Sequence, residues 1–422
     1  MNDRSAPTLA RQPRLEGMTP LEVAARLRHL DGLVFFDSVS QSAPGGKGAI
    51  SVIAARPIRV LRGKIDTEPD RQALRQALAE GPQVARDHGF PLGGLCGWVD
   101  YEGQFVFGDY REMLVHCHED DSWWEAGRLS QHLAEPSAAK ATLGETRTLG
   151  TQQAFIDGVK KVKDWIASGD IYQVNLSQAF EVPVHGGSLF GLYETLREMS
   201  PAPMAAWLSL DDTEVLSSSP ETFLRMSGRG IETKPIKGTR PRFANVDEDL
   251  RSAYELQTSA KEIAELVMIT DLLRNDLGQV SEFGSVAVTE MLRLETLAQV
   301  HHLVSTVTGR LRPEIDAIAA LAACFPGGSI TGAPKKRAME IIREIEGKPR
   351  GIYCGAIGWF GYNGESAFNI AIRTIIRKGE KLIYQVGAGI VADSDPQKEY
   401  EETLHKAAGI RLAIDRWQSK DG

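Results

Sequence analysis

Strand-like runs arrive in pairs along this chain, and that pairing constrains the fold more than any other feature. Alternating or apolar stretches stand at Val174 to Phe180, Ala205 to Leu210, Val215 to Ser218 and Phe223 to Met226. Others follow at Gly355 to Tyr362, Ala367 to Arg377 and Lys381 to Ala388, with a hairpin-type turn at Tyr362-Asn363-Gly364. Strands joined by such turns pair antiparallel, because a parallel pair needs a long crossover. Helical spacing predicts helices over Pro20 to Leu30, Gln153 to Ser168, Ser259 to Asn275, Pro334 to Glu346 and Pro396 to Gln418. The expected class is α+β: antiparallel sheet with flanking helices.

At 422 residues the chain exceeds the size at which one core normally stops growing, so two lobes or one unusually large domain are expected. Residues 15–130 mix one helix with strand-like runs at Gly32 to Ser38 and Ala49 to Ala54. Residues 131–151 read as a connector without a sustained apolar period, and 152–415 as the main region. A net charge of −8 without a basic stripe argues against nucleic-acid binding. No window is apolar enough to span a membrane, and the stretch Met1 to Gln12 lacks a secretory h-region. The cysteines Cys96, Cys117, Cys324 and Cys354 are widely spaced, which suits a reduced, cytoplasmic enzyme without disulfides or zinc.

Within Thr233-Lys-Pro-Ile-Lys-Gly-Thr-Arg-Pro-Arg242, Lys237 stands in a stiff strand-to-turn segment. If desolvated, its ammonium loses its proton more readily and becomes an amine nucleophile. The bland alternatives are an anion clamp or a surface charge beside Arg240 and Arg242.

Glutamates recur in two pairs. Ser259-Ala-Lys-Glu262 has the S-x-x-E form of a capping box, and Glu265 follows on the same side of that helix. Asp395-Pro396 opens a second helix carrying Glu399 and Glu402 at the same spacing. Facing each other, the pairs would make an oxygen-rich site suited to Mg²⁺; alone, each reads as a cap or a solvated first turn. The loop Phe325-Pro-Gly-Gly-Ser-Ile-Thr-Gly-Ala-Pro-Lys335 offers backbone N–H groups to an anion, with Pro334 at a first helical position. A plain loop with Thr331 as cap is the alternative.

Glu221, in the turn Ser218-Ser-Pro-Glu221, acts as a general acid if it is buried; a surface turn glutamate is the commoner case. Arg373, inside the run Phe368 to Thr374, wants a carboxylate from a ligand or a structural glutamate. His301 and His302 are ambiguous, and Asp271 to Asp276 reads as structural. Neither Gly94-Leu-Cys-Gly97 nor Tyr353-Cys-Gly355 gives the G-x-C-x-G of an activated thiol, so a glutamine-hydrolysing module is not expected.

Taken in order, Gly169-Asp-Ile-Tyr-Gln-Val174, Ser219-Pro-Glu221, Pro235-Ile-Lys-Gly-Thr-Arg-Pro-Arg242, Asp271-Leu-Leu-Arg-Asn-Asp276 and His302-Leu-Val-Ser305 resemble the chorismate-utilising enzymes. So do the Phe325 to Lys335 loop, Gly387-Ala-Gly-Ile-Val391 and the final glutamate helix. The likeness is to the branch of anthranilate synthase component I and aminodeoxychorismate synthase component I. It is dense over Gln153 to Leu412 and weaker over Leu33 to Trp124.

The resemblance implies two roughly orthogonal antiparallel β-sheets packed as a sandwich, with helices on the outside. It implies Glu265 and Glu402 as Mg²⁺ ligands, supported by Glu262 and Glu399. Chorismate would be held by Gly328, Thr331, Tyr353, Arg373, Gly387, Gly389 and Lys406. Glu221 matches the acid that assists departure of the C4 hydroxyl, and His302 the active-site histidine. Gln173 stands where water-using relatives carry a lysine base, which implies ammonia as nucleophile. Lys237 stands where anthranilate synthases usually have alanine. The implied activity is therefore conversion of chorismate and ammonia to 4-amino-4-deoxychorismate through a covalent lysine adduct, for 4-aminobenzoate and folate synthesis. Anthranilate synthesis is the alternative, followed by a non-catalytic binding homologue. A separate glutaminase subunit is the implied partner. Phe35-Phe36-Asp37-Ser38 stands where the tryptophan-sensitive branch has a Leu-Leu-Glu-Ser-like element, so a bound tryptophan in an N-terminal pocket is a further expectation, with feedback by it in doubt.

Overall fold

Two antiparallel sheets carry the fold, and both take strands from before and after residues 131–151. The computed structural model describes residues 9–38, 49–82, 89–136, 139–297 and 299–419; most of the polar segment Met1 to Gln12 lies outside them. The first sheet runs in the order Leu9–Arg11, Ser122–Ala126, Met113–Cys117, Ile50–Ala54, Val34–Asp37, Met204–Leu210, Thr213–Ser219, Thr374–Lys378, Lys381–Ile390, Gln173–His185 and Arg147–Thr148. Two short strands, Thr142–Leu143 and Gly332–Ala333, also pair with Gln173–His185. The second sheet runs Ile236–Pro241, Val300–Arg310, Gly230–Lys234, Thr222–Ser227, Glu365–Ile370, Ala356–Gly361, Gly94–Val99, Gln104–Tyr110 and Arg59–Lys64, with Ala287–Thr296 also on Val300–Arg310. The connector is thus partly ordered, as two strands of two residues each.

One core packs between the sheets and includes Val52, Cys96, Trp98, Val115, Leu208, Val215, Ile357 and Trp359. A second joins Phe107 to Phe360 and Phe368, whose ring centroids lie 5.6 and 6.2 Å from that of Phe107. Burying such rings is worth roughly 2–3 kcal/mol each, so strands from both ends of the chain are held in one packed unit. Helices cover the outer faces. Gln152–Ala167 opens on Thr151, whose hydroxyl accepts the Ala154 N–H. Ala260–Gly278 opens on Ser259, whose hydroxyl accepts the Glu262 N–H, but the Glu262 side chain does not return that bond and points elsewhere. Pro334 caps Lys335–Glu346 from an extended conformation, one position earlier than the sequence suggested.

Arg350 ties these layers together. Its guanidinium is buried and donates to both oxygens of Glu346 (2.9 and 2.7 Å), to the Ile330 carbonyl (3.1 Å) and to the Asn175 carbonyl (2.6 Å). Its own backbone takes part as well: the N–H donates to Glu102 (2.9 Å), and the carbonyl accepts from Gln385 (2.7 Å). The guanidinium also lies over Tyr101, 4.7 Å from the ring centroid. Burial opposes the charge, but the Glu346 carboxylate outweighs it and holds the Arg350 pKa above its ordinary value. Removing one member of such a pair strands a buried charge. Arg350→Ala should therefore cost about 3–5 kcal/mol of unfolding free energy in urea titrations. The double change Arg350→Met with Glu346→Leu, which leaves no lone charge, should cost clearly less.

Candidate active site

Two strand connections cross from one sheet to the other side by side, and the site is built around them. Glu221 lies between Thr213–Ser219 of the first sheet and Thr222–Ser227 of the second. Arg373 lies between Glu365–Ile370 of the second and Thr374–Lys378 of the first. The bends are stitched together: the Ile370 N–H donates to the Glu221 carbonyl (3.1 Å), and the Ser218 N–H to the Arg373 carbonyl (3.1 Å). The continuous strand expected through Arg373 is thus interrupted. Arg373 takes a left-handed backbone, φ 49°, which a period-2 pattern cannot reveal. Its side chain is half-buried, with the Ser200 hydroxyl at 3.4 Å and no carboxylate partner among the described residues. Burial pushes its pKa down, yet an arginine stays charged, so the group asks for an anion.

A cavity of about 740 Å³ opens beside these bends, a size suited to a small substrate. Lys237 reaches it from the strand Ile236–Pro241. Lys237 pairs with Leu303 and Thr239 with His302, so Gly238 is the extra residue of a β-bulge, at φ 73°. A Cβ on Gly238 would come within 2.6 Å of Leu256 Cδ1, so glycine is required by both backbone and space. The Lys237 side chain is only 18% exposed, and its Nζ lies 3.7 Å from Glu265 Oε2. It is neither a surface charge nor alone.

Opposite stands Gly389. A Cβ there would lie 3.7 Å from Lys237 Nζ and 3.1 Å from Gln173 Nε2, so the missing side chain leaves open the space between amine and amide. Gln173 is fully buried, does not line the main cavity, and finds no protein partner for either side-chain polar atom. Such an amide is costly unless a small polar molecule meets it.

Glu221 is the most perturbed carboxyl of the group. Burial pushes it up to about 7, against a hydrogen bond from Ser329 and the charge of Lys237. It therefore carries its proton into the neutral range, as a general acid must. His302 moves the other way: burial, then Arg373, pulls it down to about 4. Its Nδ1 lies 3.0 Å from Thr239 Oγ1 and 3.3 Å from the Gly238 carbonyl. A carbonyl only accepts, so the neutral ring keeps its proton on Nδ1 and leaves Nε2, buried and unpartnered, as a free acceptor. His301 is structural: it bonds Asp249 and Thr296, each at 3.0 Å.

The four glutamates come from two helices, Ala260–Gly278 and Pro396–Ser419. Glu262, Glu265 and Glu402 line the cavity; Glu399 sits behind, accepting the Ser394 hydroxyl (2.6 Å). Burial and the neighbouring Glu265 raise Glu262; burial and Glu402 raise Glu399. Burial alone would raise Glu402 too, but Lys406 at 2.8 Å brings it net below its usual value. Three or more metal-binding side chains do not converge among the described residues. Lys237, Arg240, Lys261 and Lys406 are the nearest cations instead. The donor set still fits a hard cation: Glu262 and Glu399 are each raised beside a like-charged neighbour, and positive charge relieves that repulsion.

Tyr353, Gly387 and Lys406 also line the cavity, with the Lys406 ammonium donating to the Gly387 carbonyl (2.9 Å). Gly328 and Thr331 do not. The Thr331 hydroxyl turns inward to the Gly327 and Gly328 carbonyls (3.1 and 3.3 Å), while their neighbours Ser329 and Ile330 face the cavity. Sequence reasoning missed Ser329, Asn175, Lys261 and Ser200, small or ordinary residues that only folding brings to the cavity. The Asp37 carboxylate of the N-terminal element accepts from Arg197 (2.5 Å), Tyr193 (3.2 Å) and Ser51 (3.3 Å). A larger cleft of about 900 Å³ lies beyond Arg350, but the perturbed acid, the amine and the unpaired guanidinium all belong to the smaller cavity.

A family profile described as chorismate binding enzyme matches residues 76–411. The chain is 36% identical to aminodeoxychorismate synthase component 1 of Bacillus subtilis, over 89% of this chain and 91% of that one. It is 48% identical to an anthranilate synthase component 1 of Haloarcula marismortui, over 63% of this chain and 54% of that one. Its fold is similar to that of anthranilate synthase component I from Streptococcus pneumoniae, with a TM-score of 0.75 and 28% identity, covering 89% of this chain and 94% of that one.

The Glu221 shift sets a stability test. Its folded pKa of about 7 exceeds the ordinary 4.5, so the stabilisation from burying the neutral acid is complete below 4.5 and is lost as pH rises through 7. Without ligand or metal, Glu221→Gln should gain about 3 kcal/mol on the parent chain between pH 4.5 and pH 8. Urea titrations of both proteins across that range would show it; parallel pH profiles would contradict the buried acid.

Proposed function

The chain belongs to the chorismate-binding enzyme family, and on that premise we propose that it is the synthase subunit that converts chorismate and ammonia into 4-amino-4-deoxychorismate, for 4-aminobenzoate and folate synthesis. The observation that carries this reading is the placement of Lys237, withdrawn from solvent on the bulged strand, in the same cavity as the raised acid Glu221 and the unpaired Arg373. Relatives called anthranilate synthase component 1 are similar as well, so the choice of product turns on that lysine.

Arg373 and Lys406 bind and orient the substrate's carboxylates, with Tyr353 and the open backbone at Gly387 shaping the space for its ring. Lys237, as the free amine, attacks ring C2; the ring double bonds shift, and the C4–O bond breaks. Glu221 gives its proton to the departing hydroxyl, which leaves as water, and the substituted amine sheds its extra proton. Ammonia beside the Gln173 amide then attacks C4. The double bonds shift back, the C2–N bond breaks, and Lys237 recovers a proton as it leaves. The net change is chorismate plus ammonia to aminodeoxychorismate plus water, with the enolpyruvyl group retained. Neutral His302 keeps Nε2 as an acceptor toward the same space. Glu265 and Glu402, backed by Glu262 and Glu399, would hold Mg²⁺, which when bound neutralises the ring carboxylate.

Ammonia needs an outside source, a separate glutaminase subunit. In support of this, burial raises the thiol pKa of all four cysteines, Cys324 and Cys354 to about 12, which leaves none poised as a thiolate.

With chorismate, MgCl₂ and ammonium salt, the purified chain should give aminodeoxychorismate by mass spectrometry; anthranilate and pyruvate as main products would sink the reading. With chorismate and no ammonia, intact protein should gain the mass of the dehydrated substrate. Lys237→Ala should lose that shift and drop turnover by at least about 100-fold or switch its product.

A further inference from the structure

One helix beside the cavity is packed on one face and left bare on the other. Val246–Gln257 buries Ser252, Ala253 and Leu256 against the strand that carries Lys237. It is anchored there: the Ser252 hydroxyl donates to the Pro241 carbonyl (2.7 Å), and Arg242 pairs with Asp249 (2.8 Å). On the outer face, Val246, Leu250 and Tyr254 are 70%, 63% and 67% exposed, four residues apart and so in line over two turns. Phe243, 43% exposed, extends the line at its start. Single exposed apolar residues are ordinary; a stripe in register on a rigidly held helix marks a contact surface.

Resting on the proposed function, we infer that this stripe is the docking face for the glutaminase that supplies the ammonia. Charge narrows the occupant. Asp247, Glu248 and Glu255 border the stripe, and the one base among them, Arg251, is paired with Glu255 (3.0 Å). A complementary partner presents apolar anchors within a basic rim. Position fits as well. The stripe stands about one helix diameter, ~10 Å, from the strand bearing Lys237. Arg240 and Lys261, on the adjoining strand and helix, line the cavity and are partly exposed at that edge. A partner seated there can release ammonia at the cavity instead of into bulk water.

The test uses the full chain with a purified glutaminase from the same organism that confers glutamine-dependent turnover on the unaltered protein. In Leu250→Glu with Tyr254→Glu, ammonium-dependent turnover should stay within about twofold, while the glutaminase concentration for half-maximal glutamine-dependent turnover should rise at least about tenfold. Asp247→Lys with Glu248→Lys, which leaves the apolar anchors in place, should give the same split. Unchanged glutamine dependence in both variants overturns the docking face, as does a dimer that the substitutions dissociate without affecting glutamine use. Failure of every glutaminase to confer glutamine use on a chain active with ammonium also overturns it. A chain that makes no aminodeoxychorismate from ammonium overturns the underlying function instead.

Discussion

The Arg350 guanidinium is stripped of water, and four site-bearing segments are fixed by satisfying it and the residue's own backbone carbonyl. The anion loop supplies a carbonyl at Ile330, the long strand beside Gln173 one at Asn175, the helix after the loop a carboxylate at Glu346, and the strand of Gly387 and Gly389 the Gln385 amide. Glu346 stands back from the cavity, while Asn175, Ile330 and Gln385 line it. A buried charge tolerates little slack, because every lost hydrogen bond is paid in full desolvation. The site therefore inherits its geometry from a residue that does not line the cavity.

Strand crossings explain why the chemistry gathers where it does. A sheet interior satisfies its own backbone and buries side chains by alternation. At a crossing the alternation fails, and a polar side chain can be turned into the gap between layers. Glu221 and Arg373 occupy two such crossings that are hydrogen-bonded to each other. The acid and the anion receptor thus hold a fixed separation that neither sheet could give alone. Gly238 does the same on a smaller scale, since its bulge redirects Lys237 away from the ladder.

Periodicity predicted many of the strands and the long helices, because apolar spacing reports burial on a regular element, but it passed over Gly94–Val99, Gln104–Tyr110, Ala287–Thr296 and Val300–Arg310. It failed at Arg373, where one left-handed residue splits an apparent strand, and at Pro334, displaced by one position. The family motifs named part of the cavity's lining in advance, including Glu221, Lys237, Glu265, His302, Tyr353 and Glu402. Thr331 and Gly328 were misjudged because the loop's outward and inward faces depend on hydrogen bonds that no motif encodes. Ser329 was invisible for the same reason. Arg350 could not be weighed from sequence either, since an arginine in Lys-Pro-Arg-Gly reads as surface until its burial is known.

The pairing of Lys237 with Glu265 ties nucleophile to cation site. In the absence of metal, carboxylates and ammonium groups neutralise one another across the cavity, as Lys406 does with Glu402. Under the proposed reaction a divalent cation and a dicarboxylate substrate enter together, and the added charges nearly cancel. The carboxylates would hold the cation, and Arg373 and Lys406 would hold the substrate's anions. Lys237 and Lys261 both pair with Glu265, and of the two only Lys237 is withdrawn from solvent. Its position beside Gly389, where no side chain intervenes, leaves the space in front of its amine open. Under the proposed reaction, the same residue that forms an ion pair with Glu265 would become the group that decides which carbon receives nitrogen.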